Sequence, residues 1–137
     1  ALAYNCFGTD RVICPMMDAR RSQVYAGLYT FEEDRLITLR EQDVLAVDEL
    51  ADYVNKLQRP AIFLGDGVPI YQKQIENLIE VPYSLAPAHI ARQRAGAVGA
   101  LAQIYYEQGR FCSAAEHVPV YLRLSQAERE RKEALDC

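Results

Sequence analysis

Asp18-Ala19-Arg20-Arg21-Ser22 stands between two apolar runs and puts one carboxylate and two guanidiniums at what the flanking residues read as a hairpin corner. Such a corner can grip a phosphate or an acidic partner, because a guanidinium pairs with either through a two-point fork. The same residues also make a solvated, salt-bridged turn, and the sequence leaves both readings open. A second candidate is Gly65-Asp66-Gly67, which follows a short apolar run and precedes a helical pattern. Backbone amides at a helix start can approach a phosphate there. The stretch has neither GxGxxG nor the lysine and hydroxyl of a P-loop, so a plain tight turn competes with that reading. Asp18, Arg20, Gly65, Asp66 and Gly67 are thus weak candidates for binding a cofactor, and no residue is assigned to catalysis.

Other chemistry has less support. There is no GxSxG, and no cysteine sits in a context that would activate its thiol. The four cysteines, Cys6, Cys14, Cys112 and Cys137, form no CxxC pair and read as reduced, cytosolic cysteines, two of them inside apolar runs. His89 and His117 lie far apart without metal-ligand spacing, so no metal site is expected and both histidines read as structural. The net charge of -4 argues against a nucleic-acid surface over this chain, which would need clustered basic residues. Twelve of the fifteen basic residues are arginines, so bidentate pairing remains available. No apolar run approaches the roughly 20 residues of a membrane span, and a cytoplasmic location is expected.

The elements that must position these residues can be read from the pattern. At 137 residues, half apolar and a quarter charged, the chain fits one domain with a sizeable core. Ala1-Leu2-Ala3-Tyr4-Asn5 reads as the last turn of a helix whose beginning is missing, which suggests a fragment or a processed chain. Residues 12–17 form a first strand, with Pro15 at an edge, at a bulge or where no ladder donor is needed. Residues 23–31 form a second, apolar on both faces and therefore expected to be covered on both, with Gly27 marking a close backbone approach. After the polar turn Glu32-Glu33-Asp34, residues 35–39 return as a third strand. Asp48 is placed as the N-cap of a helix carrying Leu50, Val54 and Leu57, stopped by Pro60. Residues 61–64 are a buried strand, and Pro69 starts a helix with Tyr71, Ile75 and Leu78 on one face, closed by Pro82. Residues 88–108 read as the longest helix, ended by Gly109. Its small face of Ala95, Gly96, Gly99 and Ala100 predicts a closely packed neighbour, with Ile90, Val98, Leu101 and Ile104 supplying bulk. Residues 117–123 read as extended. Ser125 and Glu128 have capping-box spacing for a final charged helix whose run, 128–133, reads as a solvated face.

Four segments carry a resemblance: CPMMDARRSQVYAGLY from Cys14, FLGDGV from Phe63, RAGAVGALA from Arg94 and EHVPVYLRLSQAER from Glu116. In that order they resemble the C-terminal half of the TsaB (YeaZ) family, with DARR-x-QVY and PVYLR the most specific parts, and LAYN from Leu2 resembles the helix end joining the family's two halves. The resemblance implies an α/β, ribonuclease-H-like (actin-like ATPase) domain, a mixed sheet with an antiparallel hairpin and covering helices. Residues 1–137 would be the second of two domains, with the first absent. It further implies a non-catalytic accessory subunit. Its partners would be a TsaD-like catalytic subunit and a TsaE-like ATPase, with tRNA contacted indirectly, in threonylcarbamoylation of the adenosine beside the anticodon. ATP would be used by the complex, with no cofactor held in this chain. The alternative is a degenerate glycoprotease-like peptidase or a nucleotide-binding ATPase homologue. In active members of the superfamily an Asp-x-Gly wraps a nucleotide phosphate; here the matching corner is Asp18-Ala19-Arg20, whose added side chain obstructs the approach. The metal-binding histidines of the catalytic paralogue have no counterpart. Without the first domain the chain is expected to expose apolar surface and to self-associate.

Overall fold

The computed structural model describes residues 1–123. The expected final helix from Ser125, the charge run at 128–133 and Cys137 lie outside the described residues. Five strands form one mixed sheet, in the spatial order β3-β2-β1-β4-β5. β1 (Val12–Asp18), β2 (Gln23–Glu32) and β3 (Arg35–Ala46) make the antiparallel meander that the apolar runs predict. α1 (Val47–Lys56) then carries the chain across the meander so that β4 (Ala61–Leu64) pairs with β1 in parallel, Val12 against Ala61 and Pro15 against Leu64. α2 (Gly67–Leu78) leads to β5 (Tyr83–Leu85), again parallel, and α3 (Ala95–Glu107) follows.

Strand alternation divides the core. Val12, Cys14 and Met16 of β1 join Val24, Ala26 and Leu28 of β2 beneath Leu50 and Val54 of α1 and Tyr71 and Ile75 of α2. On the other face Ile13, Phe31 and Leu64 meet Ala3 and Cys6 of a 3-10 turn, Ala3–Cys6. Full burial of one such aliphatic or aromatic side chain is worth about 1.5–3 kcal/mol, so these two layers hold the sheet between its covers. Burial pushes the thiols of Cys6 and Cys14 up, so at neutral pH both are the small hydrophobes that their apolar runs suggest.

Several expectations are corrected. Of the three settings expected for Pro15, the edge is excluded, since it lies within the central strand. The register that pairs Ile13 with Tyr29 and Met16 with Ala26 sets it against Gly27, in a sheet whose β2–β3 ladder shifts register on either side of Leu28. What approaches Gly27 is a side chain and not another backbone, since a Cβ there would lie 2.7 Å from the Tyr29 hydroxyl. Tyr25 and Tyr29 on that face are only half-buried, so the second strand is covered fully on one face alone. β3 runs on to Ala46, well past the expected Leu39. Asp48 falls inside the first turn of α1. The N-cap is Ala46, and Asp48 instead accepts the Glu49 amide at 2.9 Å. α2 begins at Gly67, with Pro69 inside its first turn. The opening residues form a 3-10 turn, not a full α-turn.

The largest difference concerns residues 82–94. Tyr83–Leu85 is a strand, and the helix begins only at Ala95. Two contacts hold residues 86–94 out of helical form. The Asn5 side chain donates to the carbonyls of Ile90 and Arg92, each at 2.8 Å, and the Gly65 amide donates to Ala91 O at 2.9 Å. Carbonyls so engaged do not serve a helical ladder. Gly109 ends α3 with φ of 71°, as expected of a C′ residue. The small face of α3 is open, for a Cβ at Gly96 or Gly99 would meet nothing within 4 Å, and only Leu101 of this helix is buried. Residues 117–123, expected to be extended, form no strand, with bends at 122 and 123.

Candidate functional site at the hairpin corner

The β1–β2 corner and the Gly65-Asp66-Gly67 turn come together at one end of the sheet, because β1 and β4 run parallel and finish side by side. One bond marks the junction: the Asp18 amide donates to Asp66 Oδ1 at 3.2 Å. Asp18 Oδ1 accepts the Arg20 amide at 2.8 Å and the Tyr71 hydroxyl at 2.8 Å. The Arg20 amide, then the Tyr71 hydroxyl, then the charge of Arg20 hold the Asp18 carboxyl below the usual carboxylate range. Burial, and then the bond to Asp18, push the Tyr71 hydroxyl up.

The glycines of the second candidate pack against protein. Gly65 has φ of 109°, and a Cβ there would lie 2.1 Å from the Met16 carbonyl oxygen; at Gly67 it would lie 3.1 Å from the same atom. With the Gly65 amide on Ala91 O, the turn is occupied by β1 and by the middle of the 86–94 segment. Asp66 takes the N-cap position of α2 without bonding its own helix, since its carboxylate faces Asp18.

The corner itself is unusual. Arg20, Arg21 and Ser22 have φ of 62°, 54° and 57°, three successive left-handed residues that each bear a Cβ. Left-handed helical backbone costs about 1–2 kcal/mol per such residue, so other bonds must hold it. Ala19 N bonds Gln23 O, Gln23 N bonds Arg20 O, both at 3.0 Å, and Val47 N bonds Ser22 O at 3.3 Å. From the far end of the chain, Arg123 Nη1 donates to Ala19 O at 2.8 Å. Beside it, Val120, Tyr121, Leu122 and Arg123 line a cleft of ≈ 430 Å³ together with Met17, Tyr25 and Tyr29.

Two contributors were not legible as such. Tyr71 reads only as a core position on the α2 stripe; the signal is that a buried tyrosine hydroxyl needs a partner. Arg123 belongs to the PVYLR segment, but nothing local points it 104 residues back to Ala19. His117 lies near Cys112, Nδ1 to Sγ 3.9 Å, and among the described residues no group of three or more His, Cys, Asp or Glu gathers to hold a metal ion. No helix among them is long and apolar enough to cross a membrane.

Asp18 gives a test of this geometry. A carboxylate with a lowered folded pKa adds stability that is complete above its unfolded value, about 3.9, and is lost as pH falls through the lower folded value. Asp18→Asn should therefore differ from the parent in stability near neutral pH and converge with it in strong acid. Tyr71→Phe should raise the Asp18 pKa part of the way back, since the Arg20 amide stays. Carboxyl 13C titration reads both, and an unchanged Asp18 pKa in Tyr71→Phe would refute the bond.

The mixed five-stranded sheet with its helices is that of the ribonuclease-H-like, actin-like class. Among solved structures the chain is similar to YeaZ from Pseudomonas aeruginosa, with a TM-score of 0.60 and 21% identity over 82% of this chain and 50% of that one. It is also similar to an uncharacterized protein with similarity to peptidase YeaZ from Pseudomonas aeruginosa, with a TM-score of 0.62 and 22% identity over 88% and 53%. No family model matches the chain. In sequence it is 33% identical over 131 residues to the tRNA threonylcarbamoyladenosine biosynthesis protein TsaB of Bacillus subtilis (strain 168), covering 93% of this chain and 54% of the relative. The sequence relative and the solved structures thus point to one family, that of TsaB (YeaZ), as what the chain is similar to. The chain is TsaB-like over nearly all its residues and spans about half the length of the relatives it matches.

Proposed function

We propose that the protein of which this chain is part is a non-catalytic accessory subunit in tRNA threonylcarbamoyladenosine biosynthesis, supporting a TsaD-like enzyme that modifies the adenosine next to the anticodon. The observation that carries this is the match to TsaB across 93% of the chain. The corner geometry supports the non-catalytic part. Where a nucleotide phosphate would need an open, glycine-backed loop, Asp18 is bonded to Tyr71 and Arg20, and Gly65 is filled by Met16. On this reading a TsaE-like ATPase consumes the ATP, tRNA is met through the complex, and the protein works in the cytoplasm.

Mass analysis of tRNA nucleosides after deletion of the gene tests the role. The expected result is loss of threonylcarbamoyladenosine, restored by the full-length gene, and unchanged modification would overturn it. Pull-down of the full-length protein should recover the TsaD-like subunit. Calorimetric binding of ATP at the corner, abolished by Asp18→Ala or Asp66→Ala, would instead favour the nucleotide-binding alternative.

The isolated chain should also self-associate. Tyr106 and Phe111 stack at 5.0 Å with both residues 67% exposed, and Val98, Val118 and Val120 add further uncovered apolar surface. Sedimentation velocity should show the mean mass rising with concentration; a concentration-independent monomer would contradict the expectation.

A further inference from the structure

We propose that the cleft between β1, β2 and residues 120–123 is a binding site for a small planar aromatic molecule that carries one carboxylate. The inference does not depend on the tRNA reading. It rests on the bed of the cleft and on the charges around it. The volume of ≈ 430 Å³ suits a small organic molecule, since such sites run to about 300–1,000 Å³.

The bed is aromatic because of one glycine. Tyr25, Gly27 and Tyr29 follow one another on the same face of β2, and all three line the cleft. The Tyr29 hydroxyl lies 2.7 Å, and two of its ring carbons 3.0 Å, from where a Cβ of Gly27 would stand. The ring therefore leans back along the strand into the space a side chain would fill. Tyr25 and Tyr29 are half-buried, and Pro15 and Met17 of β1 continue the apolar lining. An aromatic ligand gains from such rings beyond the area it buries, through stacked or edge contacts, and from the Met17 thioether. An aliphatic ligand of the same size does not.

Charge selects the substituent. Among the side chains that line the cleft Arg123 alone is charged, and none is a carboxylate. Arg123 Nη1 donates to Ala19 O at 2.8 Å, which fixes the guanidinium, and its other N–H groups are further donors. The nearby carboxylates belong elsewhere: Asp18 Oδ1 accepts from Arg20 N and Tyr71, and Glu41 lines the neighbouring hollow against α3. Burial, and then the charge of Glu41, push the Tyr29 hydroxyl up, so at neutral pH it is an uncharged donor. One guanidinium matches one carboxylate. A cationic ligand would meet Arg123, and a polyphosphate would find no second basic side chain in the lining. Ala1 also lines the cleft, so the test uses the chain acetylated at its amino terminus, which removes that charge.

The test is NMR titration of the acetylated chain with naphthoate, beside the neutral naphthylmethanol and the cationic naphthylmethylammonium. Naphthoate should bind saturably and shift the Met17 methyl and the Tyr25 and Tyr29 rings, and the ammonium should bind about tenfold more weakly or worse. Arg123→Gln should weaken naphthoate about tenfold, the loss of roughly one charge-assisted pair, and leave the alcohol within about twofold. Tyr29→Leu should weaken naphthoate and the alcohol alike. Circular dichroism melts check that both variants keep the fold, and the shifts and the ranking of the three probes in the parent test the site without them. No saturable naphthoate binding, shifts confined to the exposed rings of Tyr106 and Phe111, unchanged affinity in Arg123→Gln, or an ammonium that binds as tightly would each overturn the proposal.

Discussion

Gly65→Ala is expected to be the most damaging single-methyl change in the chain. The new Cβ would sit 2.1 Å from the Met16 carbonyl oxygen, a contact with backbone that no side-chain rotation relieves, and φ of 109° is itself hostile to an L residue. Met16 belongs to the central strand and Gly65 follows the strand beside it, so relief means parting β1 from the start of α2. We expect a loss of about 3 kcal/mol or more, in the range of backbone strain combined with overpacking. Urea denaturation should show the variant unfolded or with a much lower midpoint. Gly99→Ala is the control, since its Cβ meets nothing within 4 Å in the middle of α3; it should be neutral or stabilising by about 0.5–1 kcal/mol. If Gly65→Ala melted within about 1 kcal/mol of the parent, the described approach of β1 to this turn would be wrong.

Phe63→Ala is the second. Phe63 is 1% exposed in β4, between β1 and β5, and meets Tyr83 edge to face with ring centroids 5.9 Å apart. Truncation removes the buried ring and leaves a cavity that the two parallel ladders prevent from closing, a loss of about 3–5 kcal/mol. Because the ring also backs β5, hydrogen exchange should accelerate at Tyr83–Leu85 before it does in β2. Ile70→Ala, at an exposed position of α2, should change the midpoint little. Equal losses at the two positions would refute the burial argument.

The strands and helices that were legible are those whose pattern is local. β1, β2, β4, α1 and α2 each carry a complete apolar period, so their burial is written into consecutive residues. β5 is three residues long and has no period to read. It is a strand because β4 offers it an edge. Residues 88–94 have helix-forming composition, yet a side chain from Asn5 and an amide from Gly65 take the carbonyls of Ile90, Ala91 and Arg92. Propensity of a few tenths of a kcal/mol per residue yields to such contacts.

The candidate site divides the same way. The residue types of the corner, its position between two strands and the absence of a glycine where a phosphate would need one are properties of the sequence alone, as are the motifs shared with TsaB. That Asp18 meets Asp66 and Tyr71, that Arg123 returns to Ala19, and that the glycines of the second turn face Met16 were decided only by the tertiary structure. The reason is sequence distance. These partners lie 48, 53 and 104 residues apart for the three bonds, and a parallel pairing of β1 with β4, made possible by the α1 crossover, brings the first two pairs within hydrogen-bond reach. Short-range pattern specifies what each element buries, and the order in which the elements pair specifies which polar groups are left facing outward.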